Sequence, residues 1–381
     1  MSLSLLLGGL SLLIWLYLLG GRGGFWYGFA EPVPAALAAY PEVVAVVPAR
    51  DEAEQIGASL PTLLRQDYPG TFRVVLVDDH SGDATRANAV EAARAAGAAE
   101  RLAIVPAPPL PPGWSGKVWA MSTGLDHARL VAPAARYVLF TDADIRHAPD
   151  SLRRLVATAE HEALDLASLM VRLRCESLAE RALVPAFVFF FRMLYPFAWV
   201  KARERSTAAA AGGCMLARRS ALERIGGLGA IRDQLIDDCA LARALKAGGP
   251  IRLDVAEATA SARAYPDFAA MWHLIARTAF TELRYSALRL VAAILLMTLV
   301  FLLPPYLTFV AHGLPAFIGL AAWLAMAVAY VPCLRYYGLS MGWAPCLPLI
   351  ALFYEGATVH SAVRHWLGRG GEWKGRFRGK A

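Results

Sequence analysis

The sequence predicts an α/β fold: a mostly parallel, doubly wound sheet with apolar helical segments at both ends of the chain. Three observations carry that expectation. Continuous apolar and β-branched runs recur at Val43–Val47, Phe72–Val77, Leu102–Val105 and Tyr137–Leu139, as in strands buried on both faces. Helical periodicity fills the intervals between them, and alternating strand and helix is the order that builds parallel sheets. Three of the runs also end in acids, at Asp51-Glu52, Asp78-Asp79 and Asp142-Ala143-Asp144. Sheets of this kind bind ligands beyond the carboxyl ends of their strands, so these acids gather on the binding edge.

Taken in order, Leu3–Leu19 is uncharged and Leu-rich, long enough for a short membrane span. No Lys or Arg precedes it and Arg22 follows, unlike a signal peptide. Residues 1–24 are read as an anchor with its N-terminus outside, and Trp15, Tyr17, Trp26 and Tyr27 suit membrane interfaces. Residues 25–41, with Pro32 and Pro34, read as a linker to a domain at 42–265. The first strand stops at Pro48-Ala49-Arg50-Asp51-Glu52; Ile56, Leu60, Leu63 and Leu64 then recur at helical spacing, and Asp67-Tyr68-Pro69-Gly70 is a turn. The second ends at Asp78-Asp79-His80-Ser81-Gly82, after which Asp83 caps an Ala-rich helix running to about Ala96. A proline-rich loop, Pro106–Trp114, follows the third and leads to Ser115-Gly116-Lys117 and a helix carrying Trp119, Met121 and Leu125. The fourth runs into Phe140-Thr141-Asp142-Ala143-Asp144.

In an extended backbone Asp142 and Asp144 point the same way. Neighbouring carboxylates oppose each other's ionisation unless a cation offsets them. A hard, oxygen-seeking Mg²⁺ or Mn²⁺ brought in by a diphosphate is the natural partner. Composition narrows the class further. The hydrophobic fraction is 57%, the mean hydropathy is +0.42, and the excess lies at the two ends. Five scattered cysteines with no Cys-x-x-C pair argue against a disulfide framework or structural zinc. The net charge of +7 comes with arginines near apolar segments, without a recognition helix or single-strand platform, so nucleic acid is not an expected partner.

The order Val46-Val47-Pro48-Ala49-Arg50-Asp51-Glu52, Val77-Asp78-Asp79-His80-Ser81, Gly116-Lys117-x-x-Ala120, Asp142-x-Asp144 resembles inverting family 2 glycosyltransferases with the GT-A fold. Gly212-Gly213-Cys214-Met215-Leu216 with Arg218-Arg219 and Ile225-Gly226-Gly227 is similar to that family's acceptor-side segment, and Asp237-Asp238-Cys239-Ala240-Leu241 to its Glu-Asp-x-x-Leu motif. Nearly the whole chain, including Arg172-Leu173-Arg174-Cys175-Glu176-Ser177 and the tail Gly368–Arg376, resembles the hopanoid-associated membrane glycosyltransferases. Ceramide glucosyltransferases and carotenoid glycosyltransferases are more distant look-alikes. The resemblance implies a UDP-sugar donor contacted by Pro48, Arg50, Asp51 and Glu52, with Asp79 on the uracil, Lys117 beside the diphosphate, and Asp142 at the ribose or metal. It also implies Asp144 on the metal, Asp238 as the base with Asp237 able to share the role, and Gly212, Gly213 and Cys214 facing the acceptor. The Gln/Arg-x-x-Arg-Trp motif of processive synthases is absent; Arg277 is its nearest candidate, but Thr278 stands where Trp would be.

Two stretches speak to a lipid acceptor, for which the resemblance implies a hopanoid. Leu183–Val200, with Phe187-Val188-Phe189-Phe190-Phe191, reads as an interfacial helix, and 266–289 as a second amphipathic one reaching headgroups through Arg277, Arg284 and Arg289. Three apolar segments follow within 290–361: Leu290–Ala311, Leu314–Leu334 and Trp343–Val359. The basic tail, 362–381, is expected to stay cytoplasmic with the catalytic domain. That requires an even number of crossings between them, so the third segment, holding Pro345, Pro348, Glu355 and His360, is expected to be re-entrant or interfacial. A multi-pass protein of the bacterial inner membrane results. Rival readings are transfer to a carotenoid, polyprenyl phosphate or diacylglycerol, polysaccharide synthesis, and a non-catalytic nucleotide-binding scaffold.

Overall fold

The computed structural model describes residues 2–368, so most of the expected basic tail, including Arg369, Lys374, Arg376, Arg378 and Lys380, lies outside the described residues. The chain forms two compact units. One is drawn from Ala30–Arg174 and Trp199–Ala264, the other from residues up to Phe29, Cys175–Ala198 and the chain from Tyr265. The stretch expected at 42–265 is therefore interrupted, because Cys175–Ala198 clusters with the apolar helices.

In the first unit β1 (Val43–Ala49), β2 (Phe72–Asp78), β3 (Leu102–Pro106), β4 (Tyr137–Phe140), β5 (Ile145–Arg146), β6 (Leu166–Arg172), β7 (Met215–Arg218) and β8 (Ile251–Ser261) form one sheet. Its order is β3-β2-β1-β4-β7-β6-β8-β5. The first four strands are parallel, and every residue of β1 is buried, as its unbroken apolar run requires. β7 runs antiparallel to β4 and β6, and β5 antiparallel to β8. Those additions were not legible: β5 has two residues and β7 four, too short to show a period. The helix Gly116–Val131 packs on β1 and β2. Gly124 permits this, since a Cβ there would stand 2.3 Å from Val46 Cγ1.

The order β2-β1-β4 creates a switch point: the chain leaves β1 toward β2 and returns on the other side as β4. A crevice opens there at the carboxyl ends. The Arg50-Asp51-Glu52 segment leaves one wall of it and Thr141-Asp142-Ala143-Asp144 the other. The 25–41 stretch contains no helix or strand beyond its opening turn, but it is not a loose tether. Glu31 is buried and exchanges backbone-to-carboxylate hydrogen bonds with Glu257, and Arg154 lies 3.4 Å from its carboxylate.

Among the described residues of the second unit, four helices are long and apolar enough to cross a membrane: Leu3–Gly21, Ala287–Val310, Leu314–Tyr336 and Met341–Trp366. The last is the segment expected to be re-entrant, yet it is as long as the others. Pro345 lies in its opening 3-10 turn and Pro348 at the start of the α-helical part, where a missing N–H breaks nothing. Pro185 likewise fails to break Leu178–Leu194, which ends instead at Tyr195, before a short helix at Phe197–Lys201. Leu178–Leu194 opens with a capping box, Ser177 and Glu180 each accepting from the other's backbone N–H. The 266–289 stretch is a helix, Phe268–Glu282, followed by a reversal at Arg284 and Tyr285, both left-handed.

Trp15 departs from its expected interfacial place. It is wholly buried, and its indole N–H donates to Val300 O at 2.8 Å. The reason lies in the partner helix. Val300 sits in a π turn, Thr298–Leu302, and the residues four and five positions on are Pro304 and Pro305. Neither carries an N–H, so neither an α- nor a π-type bond can serve this carbonyl. Trp15 supplies the donor.

Candidate active site

The local chain conformation at the strand ends sets the site. After β1, Asp51 adopts φ 50° and after β2 His80 adopts φ 53°, left-handed conformations uncommon outside glycine. Reciprocal bonds hold the two loops together: Asp51 N–H donates to Ser81 Oγ, and Gly82 N–H to Asp51 Oδ1. Arg50 donates to the Asp79 and His80 carbonyls. Asp79 itself is wholly buried, its Oδ2 3.8 Å from Arg50 Nη1. Pro48 stays within β1, paired in register with Val77.

After β4 the chain does not continue extended. Ile145 N–H bonds back to Asp142 O, making a turn, so the alternation expected to align Asp142 and Asp144 does not apply. The two carboxylates take different partners. Asp142 Oδ1 lies 2.8 Å from Lys117 Nζ. Asp144 Oδ2 accepts from Ser261 Oγ at 2.9 Å and from Arg263 Nε at 3.1 Å. The other end of that guanidinium reaches Glu52, Nη2 standing 2.9 and 3.1 Å from the two carboxylate oxygens. Arg263 thus spans the crevice from the acid after β1 to the acid after β4. Ser261 and Arg263 carried no signal in the sequence.

Lys117 opens the helix Gly116–Val131 at the strand edge, as expected, but its ammonium is already engaged. It stands 3.3 Å from Asp237 Oδ2 as well as against Asp142. Burial works against its charge, yet Asp142, Asp237 and Asp238 outweigh burial and hold its pKa above the ordinary lysine value. Burial raises the pKa of Asp142, with Lys117 opposing; its side chain is 35% exposed, so water tempers the shift.

Asp237 and Asp238 begin the helix Asp237–Lys246, where the macrodipole favours acids. Asp237 is buried against Lys117. Asp238 remains partly open, and its Oδ2 accepts the Gly212 N–H at 2.9 Å. Burial, then the Asp237 charge, push its pKa up to about 7, with Lys117 opposing. A Cβ on Gly212 would lie 3.2 Å from Lys117 Nζ and 3.4 Å from Asp238 Oδ2, so the missing side chain keeps this corner open. Gly213 O accepts from Thr141 Oγ1, which also meets His147 Nε2 at 3.0 Å. Burial pushes His147 down to about 4, so a neutral imidazole backs the Thr141 hydroxyl, and it is that hydroxyl that ties the Asp142 segment to the glycine loop. Cys214 is buried, with its thiol pushed up to about 12 by burial, and is inert as a nucleophile. Arg277 is exposed on the helix Phe268–Glu282 of the second unit.

One cluster therefore joins Lys117, Asp142, Asp237, Asp238 and Gly212, and a second joins Glu52, Asp144, Ser261 and Arg263. Among the described residues no group of three or more His, Cys, Asp or Glu side chains is arranged to hold a metal unaided. Two carboxylates nonetheless fit a hard cation that takes its remaining oxygens from a diphosphate and water.

The chain matches the family described as glycosyl transferase family 2 over residues 44–226, and glycosyl transferase family group 2 over 137–355. Among solved structures it is similar to the mannosyltransferase PcManGT from Pyrobaculum calidifontis in complex with GDP-Man and Mn²⁺. The identity is 20% over 96% of this chain and 100% of that one, with a TM-score of 0.56. TarS 1–349 from S. aureus in complex with UDP matches at 16% identity, over 86% of this chain and 92% of that one, with a TM-score of 0.37. No curated protein matches. The first likeness extends over both units and identifies the sheet as a GT-A fold.

Proposed function

Because this chain belongs to glycosyl transferase family group 2 and is a glycosyltransferase using a nucleotide-sugar donor, we propose that it inverts the sugar as it moves it from UDP to a lipid hydroxyl. One observation carries the reading. Asp238 is a partly open carboxylate poised near neutrality, oriented by Gly212 N–H and adjoining Asp237, which Lys117 pairs with Asp142. A base must take the acceptor proton while the oxygen attacks the anomeric carbon opposite the leaving nucleotide, and a pKa near working pH suits that task.

The residues divide the work. Asp238 accepts the proton. The Gly212 and Cys239 N–H groups hold Asp238 in place, and Lys117 links the adjoining Asp237 to Asp142, so base and donor site keep a fixed relation. Arg50, Asp51 and Glu52 wall the nucleotide crevice, and Gly212 and Gly213 leave the acceptor room. Asp142 and Asp144 would hold Mg²⁺ or Mn²⁺, which supplies the charge that stabilises the departing diphosphate. The four long apolar helices support a membrane-embedded enzyme and thus a lipid acceptor. The bacterial inner membrane, a cytoplasmic catalytic unit and a hopanoid acceptor are what the sequence resemblance adds.

Purified protein supplied with Mn²⁺, a UDP-sugar and a lipid extract should release UDP, and chelation should stop it. UDP release without any lipid dependence would remove the lipid acceptor. The GDP-Man of PcManGT makes a guanine nucleotide the alternative donor, so UDP- and GDP-sugars are compared side by side. No release from either leaves a nucleotide-binding scaffold. Mass spectrometry of lipids from cells lacking the protein identifies the acceptor.

A further inference from the structure

We propose that Arg263 is a resident counter-ion that holds Asp144 until a divalent cation arrives with the donor diphosphate, and then surrenders it. The inference rests on the nucleotide-sugar reading above. Glu52 and Asp144 are each buried and stand on opposite walls of the crevice. Left alone, two buried acids would repel each other or take up protons. The Arg263 guanidinium answers both, with a forked contact to Glu52 and a third hydrogen bond to Asp144 Oδ2.

A divalent cation and a guanidinium cannot share that oxygen without strong like-charge repulsion, so binding of one opposes the other. The backbone is pinned, because Ala262 N–H donates to Asp144 O at 2.8 Å and Ser261 Oγ to Asp144 Oδ2. The guanidinium is 35% exposed at the crevice, so an entering charge can compete for its partners without moving the strand. A diphosphate entering the crevice offers the displaced guanidinium a new bidentate partner. Metal alone must therefore break an ion pair uncompensated, whereas metal with nucleotide exchanges one pairing for another. Arg263 thereby makes the two bind cooperatively, and the enzyme holds metal more tightly with its donor than without it.

The test is a Mn²⁺ titration of the full-length protein in detergent, read by the electron paramagnetic resonance of free Mn²⁺, with and without UDP. Wild type should bind Mn²⁺ about tenfold more tightly when UDP is present, within the usual range of coupling between sites. Arg263→Gln should bind Mn²⁺ alone roughly tenfold more tightly than wild type, bind UDP more weakly, and lose most of the linkage. Arg263→Lys, which keeps the charge without the fork, should fall between and serves if the glutamine variant does not fold. Wild-type linkage that survives intact in the substituted proteins overturns the counter-ion role and leaves the donor reading standing. Mn²⁺ binding that never responds to UDP or GDP overturns both.

Discussion

Replacing Asp238 by Asn tests the base and the electrostatics of the cluster together. The Asn side-chain oxygen can still accept the Gly212 N–H, so the loop keeps its place and the ionisable group is lost. Removing a positioned general base costs about 10²–10⁴-fold in rate. Wild-type kcat/KM should rise with pH and level off above about 7, where Asp238 is ionised. The variant's residual rate should lack that inflection. Stability moves the other way. The folded-state pKa lies above an unfolded value of about 3.9, so Asp238 favours the folded state at low pH, and that contribution drains away as pH climbs through the folded pKa. About three units at ~1.4 kcal/mol each sets a ceiling near 4 kcal/mol, and partial exposure with a shared Asp237 charge reduces this to about 2. Asp238→Asn should thus be more stable than wild type at pH 8, by about 4–8 °C for a unit of this size, and indistinguishable from it at pH 4. Thermal melts across pH, alongside UDP release, read both. A variant that keeps the wild-type pH–rate inflection, or gains nothing at pH 8, refutes the assignment; Asp237→Asn, which should lower the wild-type inflection without abolishing turnover, separates the two acids.

Lys117→Met leaves Asp142, Asp237 and Asp238 without their shared cation. The loss is capped near 4 kcal/mol, because one acid can instead take up a proton at about 1.4 kcal/mol per unit from pKa ~4 to pH 7. Melts at pH 5 and pH 8 should show the defect shrinking at the lower pH. Gly212→Ala should cost under about 1 kcal/mol in stability yet lower kcat about tenfold, since its Cβ crowds Lys117 and the base together and small misplacements there are expensive; an unaltered kcat in steady-state assays argues against the geometry. Trp15→Phe should destabilise the protein in detergent by about 1–3 kcal/mol by orphaning Val300 O. Adding Pro304→Ala, which restores an N–H to that helix, should recover part of the loss in a double-mutant cycle on melting temperature.

The first four strands, the acids at three of their ends and the glycine-lysine helix start were all legible in the sequence, because each follows from a local period or a local composition shift. The long apolar helices were legible for the same reason. What local patterns cannot express is which distant partner a side chain meets. Nothing around Arg263 marks it as different from a surface arginine; it reaches Asp144 only because β8 pairs antiparallel with a two-residue β5 immediately after that acid. Trp15 looked like an interfacial aromatic until the orphaned carbonyl before Pro304 gave its N–H a destination. Asp142 and Asp144 looked parallel until the chain turned between them. The sequence determined the parallel half of the sheet and placed acids at three of its strand ends. Tertiary structure alone decided which cation each acid holds, because charge pairing depends on distances set by strand register and turns, and these are properties of the assembled fold.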